Sequence, residues 1–510
     1  MICFTNKTYV EWLFFLLLRS NKKTITNLKK GMSTSIKKTE SLAPDDNLVV
    51  IGEQFKDRPE YFLAEKEKKY ILEQLSQNKK LIVLNQLGRI FIWCSIDKKK
   101  AEAQVLESLR ISGSKICTVL NEIKAQSVTV LNNFQYADYS LALAEGLALS
   151  NYQFIHHKKN AEKEKNSLQI VSLFQGKLKD KQIDELNCVI EATCVARDLV
   201  NEPVNYLNAS ALSQKFVELA KKVKIKVEVF DKKKIEQLKM GGLLAVNKGS
   251  VDPPTFTVME YKPKDAKNKK PYVLIGKGLV YDTGGLSLKS TPNSMDQMKC
   301  DMAGGAAAGC AIYAIAKAKL PVHVISLIPS TDNRPSFNAF APGDIITMYN
   351  GMTVEMLNSD AEGRMILADA LSYADKYSPE LVIDLATLTG AAAAAIGAYG
   401  IVSMGTAGEK YQTKLAESGN RTYERLAPLP FWDEYDELLH SDIADMKNIG
   451  GPIAGAITAG RFLKKFTNAP YIHLDIAGPA FIMSKDNYKT KGGTGSGVRL
   501  LFDFFKNIKK

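Results

Sequence analysis

Short β-rich runs alternate with helical patterns twice along this 510-residue chain, and one long helical pattern separates the two sets. The first set comprises LVVIG (48–52), KLIVLNQ (80–86), IFIWCS (90–95) and NEIKAQSVTVLN (121–132). Between these runs, YFLAEKEKKYILEQL and KKKAEAQVLESLR space apolar residues at helical intervals. Strands alternating with helices pack as α/β layers, so residues 47–173 are predicted to form an N-terminal α/β domain. The separating pattern, KLKDKQIDEL then NCVIEATCVARDLV, stops at Asn201-Glu202 because the residue before Pro203 is forced out of helical backbone. Residues 174–204 are therefore predicted to be a connecting helix.

Residues 205–510 repeat the alternation. VKVEVF, PTFTVMEY, PYVLIGKG, VHVISLIPS, TVEMLN and LVIDLATLTG read as strands, with helices expected from about Met295 to Lys317 and over RMILADALSYADKY. Two small-residue stretches, AGGAAAGCA and GAAAAAIGA, predict helices pressed so closely on a sheet that bulky side chains would not fit. The predicted fold class is α/β in two domains: a smaller N-terminal one joined by a helix to a larger C-terminal one with a central mixed sheet.

Composition narrows the possibilities. With 45% hydrophobic and 24% charged residues the chain is neither disordered nor collagen-like. The apolar run Trp12–Leu18 is far short of the roughly 18 residues that span a bilayer. The net charge of +13 leaves nucleic acid open as a partner. Part of it, however, lies in residues 1–31 and in Lys506, Lys509 and Lys510, where a solvated basic surface accounts for it. Seven cysteines, odd in number and without a C-x-x-C pair, fit a reducing, cytoplasmic setting rather than a disulfide framework. Residues 10–18 look like a short signal-peptide core, but Glu11 interrupts it and no small-x-small cleavage site follows. Residues 1–46 are expected to be an extension without fixed structure, and residues 1–31 to stand outside the fold.

Charged residues gather at strand ends and loops between Lys277 and Arg364. Lys277 follows YVLIG, Asp282 precedes Thr283-Gly284-Gly285, Lys289 comes next, and Asp301 interrupts an otherwise apolar helical stretch. The strand VEML leads to Asn358-Ser359-Asp360-Ala361-Glu362-Gly363-Arg364. Asp360 and Glu362 are two apart, so extended backbone would send both carboxylates from one face. The helix expected to follow would turn its N-terminus toward the same place and favour anions there. Four carboxylates in a partly apolar site repel one another unless cations neutralise them. Oxygen donors without cysteine or histidine suit Mg, Mn, or Zn in an oxygen-rich site, and four carboxylates suffice for two metals about 3.5–4 Å apart. Singly, each feature has an ordinary reading as a turn or a helix cap.

Together they resemble a known family. N-S-D-A-E-G-R is similar to the N-T-D-A-E-G-R signature of the leucine aminopeptidase family, the M17 metallopeptidases that include cytosol aminopeptidase and aminopeptidase A. The resemblance continues through GKGLVYDTGGLSLK, MDQMKCDMAGGAAA, APGDIITMYNGMTVEMLN, DLATLTGA, SDIADMKNIGG, AGAITAGRFL and HLDIAGPA. It implies two metals: one on Lys277, Asp282, Asp301 and Glu362, the other on Asp282, Asp360 and Glu362 with the Asp360 carbonyl. It also implies catalytic roles for Lys289 and Arg364, and a first-residue pocket lined by Met298, Thr387, Ala477 and Ala480. Manganese or zinc are the expected ions, with magnesium or cobalt as alternatives. A hydroxide bridging them would be the nucleophile, with bicarbonate held near Arg364.

The activity so implied is that of a leucyl aminopeptidase, releasing N-terminal, preferably apolar, residues from peptides with a free N-terminus, in a homohexamer. Lysine ligates only as the free amine, and moving its pKa from about 10.4 to 7 takes roughly 4–5 kcal/mol, which adjacent dications can supply. Thr283, Ser359 and Met365 depart from the usual Ser, Thr and Leu of the family, and one residue is inserted between Lys289 and Asp301. Some family members also bind DNA, so the resemblance leaves open a second role as a DNA-binding regulator. Nucleic acid is not the expected partner, however: this sequence has no helix-turn-helix, zinc finger or aromatic-basic interleaving. A two-metal phosphoesterase usually includes histidine, and serine hydrolysis lacks a G-x-S-x-G here.

Overall fold

The computed structural model describes residues 34–174 and 178–508. The readings of residues 1–31 lie outside them. Two main sheets carry the chain. The first has six strands in the order 35–39, 170–174, 127–132, 48–52, 90–95, 81–85, all parallel except the last, which pairs antiparallel at the edge. Its central strand, Leu48–Gly52, is buried along its whole length, as a strand covered on both faces should be.

Ser35–Thr39 lies inside the stretch expected to lack structure, which ends there for a physical reason. It pairs in parallel with Ile170–Phe174, and the Asn187 amide side chain both donates to and accepts from the Ile36 backbone, 2.9 and 3.0 Å. The connecting helix, Asp180–Asn201, ends with Glu202 in extended backbone just before Pro203.

The second sheet is mixed and has nine strands. Its path runs 426–428, 401–405, 471–475, 381–386, 272–276, 324–333, 255–261, 226–230, with 278–282 also paired to 324–333. The three strands 471–475, 381–386 and 272–276 run parallel, so their carboxyl ends open on one side. The α/β two-domain fold class stands.

The small-residue stretches behave differently from each other. Helix Ala303–Lys317 is buried almost throughout and pressed onto the sheet: a Cβ on Gly304 would sit 2.0 Å from the Leu385 carbonyl oxygen. Helix Gly390–Ile396 is not pressed down; Ala392 alone within it is buried, and the other residues lie near or at the surface. Alanine favours a helix without specifying what the helix faces. The helix expected from Met295 starts as a tight 3-10 segment, Met295–Met302, and becomes α-helical at Ala303.

A buried ionic network joins the two sheets' layers. Glu145 accepts from Arg110 at 2.5 Å and from Arg499 at 2.7 Å, Arg110 donates to the Arg421 carbonyl, and the Tyr488 hydroxyl meets Glu107. Arg197 of the connecting helix donates to three carbonyls, those of Leu149, Tyr488 and Thr494. Among the described residues no helix is long and apolar enough to cross a membrane.

Candidate dinuclear metal centre

The cluster forms where the parallel strands end, the usual place for ligands in an open α/β sheet. Lys277 links strand Tyr272–Gly276 to strand Gly278–Asp282; its N–H donates to Leu385 and its carbonyl accepts from Gly305. That backbone grip aims a fully buried amine at two carboxylates. Lys277 Nζ lies 2.8 Å from Asp301 Oδ2 and 3.0 Å from Glu362 Oε1, and donates to the Thr387 carbonyl at 3.1 Å. Asp301 is the penultimate residue of the 3-10 segment, with Oδ1 taking a hydrogen bond from Thr387 Oγ1 at 2.7 Å.

Asp282 closes the neighbouring strand. Its Oδ1 accepts from the Gly284 N–H and from Asn333 Nδ2, and its Oδ2 lies 2.9 Å from Lys289 Nζ. Lys289 also pairs with Asp360 Oδ1. Asp282, Asp360 and Glu362 each offer an oxygen, and these oxygens all lie within 4.8 Å of one another.

Asp360 and Glu362 do converge, but not as neighbours on a strand face. Asp360 sits in the turn Asn358–Ala361, and Glu362 is the first residue of helix Glu362–Ala374. The turn, not strand alternation, brings the two carboxylates together.

The electrostatics follow from burial. Burial alone would lower the pKa of Lys277, but Asp301, Glu362 and Asp282 outweigh it and raise the value. Lys289 is raised in the same way, chiefly by Asp282. Burial pushes Asp301 up to about 8, with Lys277 pulling it down and Glu362 and Asp282 pushing it further up. Four carboxylates face two ammonium groups here, so the fully ionised cluster is two charges short of neutral. Of the buried carboxylate oxygens, Asp301 Oδ2 and Asp360 Oδ1 face only the two ammonium groups, and Glu362 Oε2 has neither a hydrogen bond nor an ion pair among the described residues. An unpartnered carboxylate oxygen beside a charge deficit is the environment that divalent cations with oxygen ligands fill.

Arg364, in the first turn of the helix, donates through Nη1 to the Asn448 carbonyl at 2.7 Å, while its buried Nε has no partner. Burial lowers it to about 10, so it stays cationic at neutral pH. Of the four residues expected to line a pocket, Thr387 joins the cluster directly. Met298 and Ala477 are half-buried nearby in sequence to Asp301 and Asp475, whereas Ala480 is packed into the hydrophobic core.

Residues 194–502 match the description of the cytosol aminopeptidase family, catalytic domain. The chain belongs to that family. A probable cytosol aminopeptidase of Chlorobaculum tepidum is 52% identical over 314 residues, covering 61% of this chain and 62% of that one. A probable cytosol aminopeptidase of Geobacter sulfurreducens is 40% identical over 443 residues, 83% of this chain and 89% of the relative. The match spans 62% to 63% of four relatives from Chlorobaculum, Chloroherpeton and Chlorobium, less than two thirds of their length. Among solved structures, a mutant of tomato leucine aminopeptidase is 27% identical with TM-score 0.82, covering 94% of this chain and 98% of that one. The bottromycin maturation enzyme BotP in complex with Mn is 26% identical with TM-score 0.81, covering 91% and 100%.

Against the family signature, the two exchanged hydroxyl residues keep their hydroxyls at work. Thr283 Oγ1 donates to the Asn333 carbonyl, and Ser359 Oγ donates to the Gly284 carbonyl while accepting from the Ser287 N–H. Three supporting residues escaped the sequence reading. Asn333 ties Asp282 to the Ser359 carbonyl, Asn448 holds Arg364, and Asp475 accepts from Leu388, Thr389 and Ala477 to fix two strand ends. Asn333 had a signal: it ends four consecutive polar residues, Ser330 to Asn333, that prolong an apolar strand and are all buried.

Proposed function

We propose that this chain is a metal-dependent aminopeptidase of leucyl type, releasing apolar N-terminal residues from peptides. The observation that carries the reading is the convergence of Lys277, Asp282, Asp301, Asp360 and Glu362 with Lys289 at the strand ends. Lys277, Asp282, Asp301 and Glu362 would hold one divalent ion; Asp282, Asp360 and Glu362, with the Asp360 carbonyl, would hold the other. Manganese or zinc best suit this amine-and-carboxylate set, with magnesium or cobalt as alternatives. When bound, two such ions polarise a carbonyl and lower the pKa of a water toward 7.

The chain's own groups supply the rest. To hold an ion Lys277 would act as the free amine, its proton passing to solvent, from the place where Asp301, Glu362 and the Thr387 carbonyl now grip it. Lys289, released from Asp282 and Asp360, keeps its proton and donates to the carbonyl oxygen as it becomes an oxyanion. Arg364, with a buried Nε left unpartnered, would clamp a small anion such as bicarbonate, which would supply a base for a water proton. Met298, Thr387 and Ala477 receive the substrate's first side chain, with Ala480 behind them.

The free α-amine of the peptide completes the recognition, so activity should rise toward mildly alkaline pH as that amine loses its proton. A homohexamer in the cytoplasm is part of the same proposal. DNA binding is not, since the sequence offers for it only a net charge of +13. The test compares a leucyl peptide with its N-acetylated form. Release from the free peptide alone is expected; equal cleavage of both would overturn the exopeptidase reading.

A further inference from the structure

A second group of ligating side chains converges away from the strand ends. His156 and His157, in the loop after helix Ala137–Ser150, both turn Nε2 onto one carboxylate. His156 Nε2 lies 2.9 Å from Glu202 Oε2, and His157 Nε2 lies 2.6 Å from Glu202 Oε1. The three ligand atoms lie within 4.8 Å of one another. Glu202 is 7% exposed, whereas the two histidine side chains keep 28% and 33% exposure. The group thus has a buried anionic floor and a face open to water.

Aromatic packing holds both imidazoles in place. Phe154 meets His156 edge-on at 4.4 Å, Tyr206 lies 4.5 Å from His157, and the imidazoles are 4.4 Å apart. Lys299 and Asp198 also face Glu202, one of each sign, so neither sign dominates the surroundings.

Two imidazole nitrogens and one carboxylate, with water free to enter a fourth position, are a frequent donor set for zinc and its borderline neighbours. It differs in kind from the amine-and-carboxylate set at the strand ends. Tetrahedral ligand atoms at zinc stand about 3.3 Å apart, given bonds of about 2.0–2.1 Å. The present 2.6 and 2.9 Å separations need to open by less than about 1 Å, and side-chain rotation of partly exposed histidines provides that.

The position gives such an ion something to do. Glu202 follows the last residue of the connecting helix, and the Asn201 carbonyl accepts from Lys299 Nζ at 2.6 Å. Lys299 belongs to the 3-10 segment that carries Met298 and Asp301. The histidines come from the loop that leads back into the first sheet.

We propose that His156, His157 and Glu202 form a separate site for one zinc-like transition-metal ion, which clamps the loop after residue 150 to the end of the connecting helix.

The test uses the full chain stripped of metal, loaded with zinc and gel-filtered, with metal counted by elemental analysis. Beside it run His156→Gln/His157→Gln and the single variant His157→Gln. The wild type is expected to retain one more zinc per chain than the double variant, whatever number the strand-end cluster holds. Cobalt loading should give the wild type a four-coordinate visible band that the double variant lacks. His157→Gln should weaken retention and, being partly exposed, leave the circular dichroism unchanged. Equal zinc counts and equal cobalt spectra in folded protein would overturn the proposal. So would a variant that melts at lower temperature with unchanged metal content, which would make the cluster a hydrogen-bonded latch only.

Discussion

Gly363 offers a substitution that separates the fold from the site. It is the second residue of helix Glu362–Ala374 and is buried against Lys277. A Cβ there would stand 2.5 Å from both Cε and Nζ of Lys277 and 2.9 Å from Cδ. Ordinary carbon contact needs about 3.5–4 Å, so the amine must withdraw by about 1 Å. It cannot do so freely, because Asp301, Glu362 and the Thr387 carbonyl hold it at 2.8, 3.0 and 3.1 Å. The backbone, by contrast, welcomes the change: alanine is better than glycine in a helix by about 1 kcal/mol. Gly363→Ala should therefore fold with unchanged circular dichroism. A misplacement of about 1 Å costs on the order of 100-fold in rate, or about 2.7 kcal/mol of barrier. Elemental analysis should show the Lys277 metal depleted, and kcat/KM on a leucyl amide should fall about 100-fold. Full metal content with activity within about threefold of wild type would refute the idea that the Lys277 amine is a ligand held to better than 1 Å.

Two further expectations concern other parts of the molecule. Lys289→Ala should cut turnover while leaving metal content intact; loss of metal instead would reassign Lys289 as a ligand. Glu145, which burial would raise, is held down to about 2 by Arg110 and Arg499. Its ionised form therefore stabilises the fold fully above the ordinary value of about 4.5, and that contribution is lost as pH falls toward 2. Glu145→Gln should lower stability at pH 7 by about 3 kcal/mol, the low end for a broken buried pair, since two buried guanidinium groups lose their nearest carboxylate while Glu107 and Glu424 remain at 3.3 and 3.8 Å. It should also flatten the acid limb of a denaturation-versus-pH curve; an unchanged limb would remove the network from the account.

The sequence reading reached furthest where one chemical pressure acts alone. Apolar runs such as LVVIG and YVLIG are buried on both faces, and nothing but a central strand of a covered sheet suits them. Pro203 ends the connecting helix by local sterics. Ser35–Thr39 escaped notice because an edge strand reading SIKKT has no apolar pattern; pairing and Asn187 hold it. The exposed alanines of Gly390–Ile396 show the converse limit, since small residues fit a tight interface and a solvated helix equally. In the site, the charged residues were legible as a cluster. The amides that hold them, Asn333 and Asn448, act across 51 and 84 residues of sequence; the polar run Ser330–Asn333 marks the first, and no local pattern marks the second.

On the proposed function, the strand-end cluster performs metal-dependent release of an N-terminal residue. The direct measurement is hydrolysis of a leucine-linked amide by metal-stripped protein, with manganese, zinc, cobalt or magnesium restored in turn, beside Asp360→Ala. Release that returns with a divalent ion and is abolished in the variant is the predicted result. Folded protein that releases nothing with any of the four ions, or an Asp360→Ala variant as active as the wild type, would contradict it.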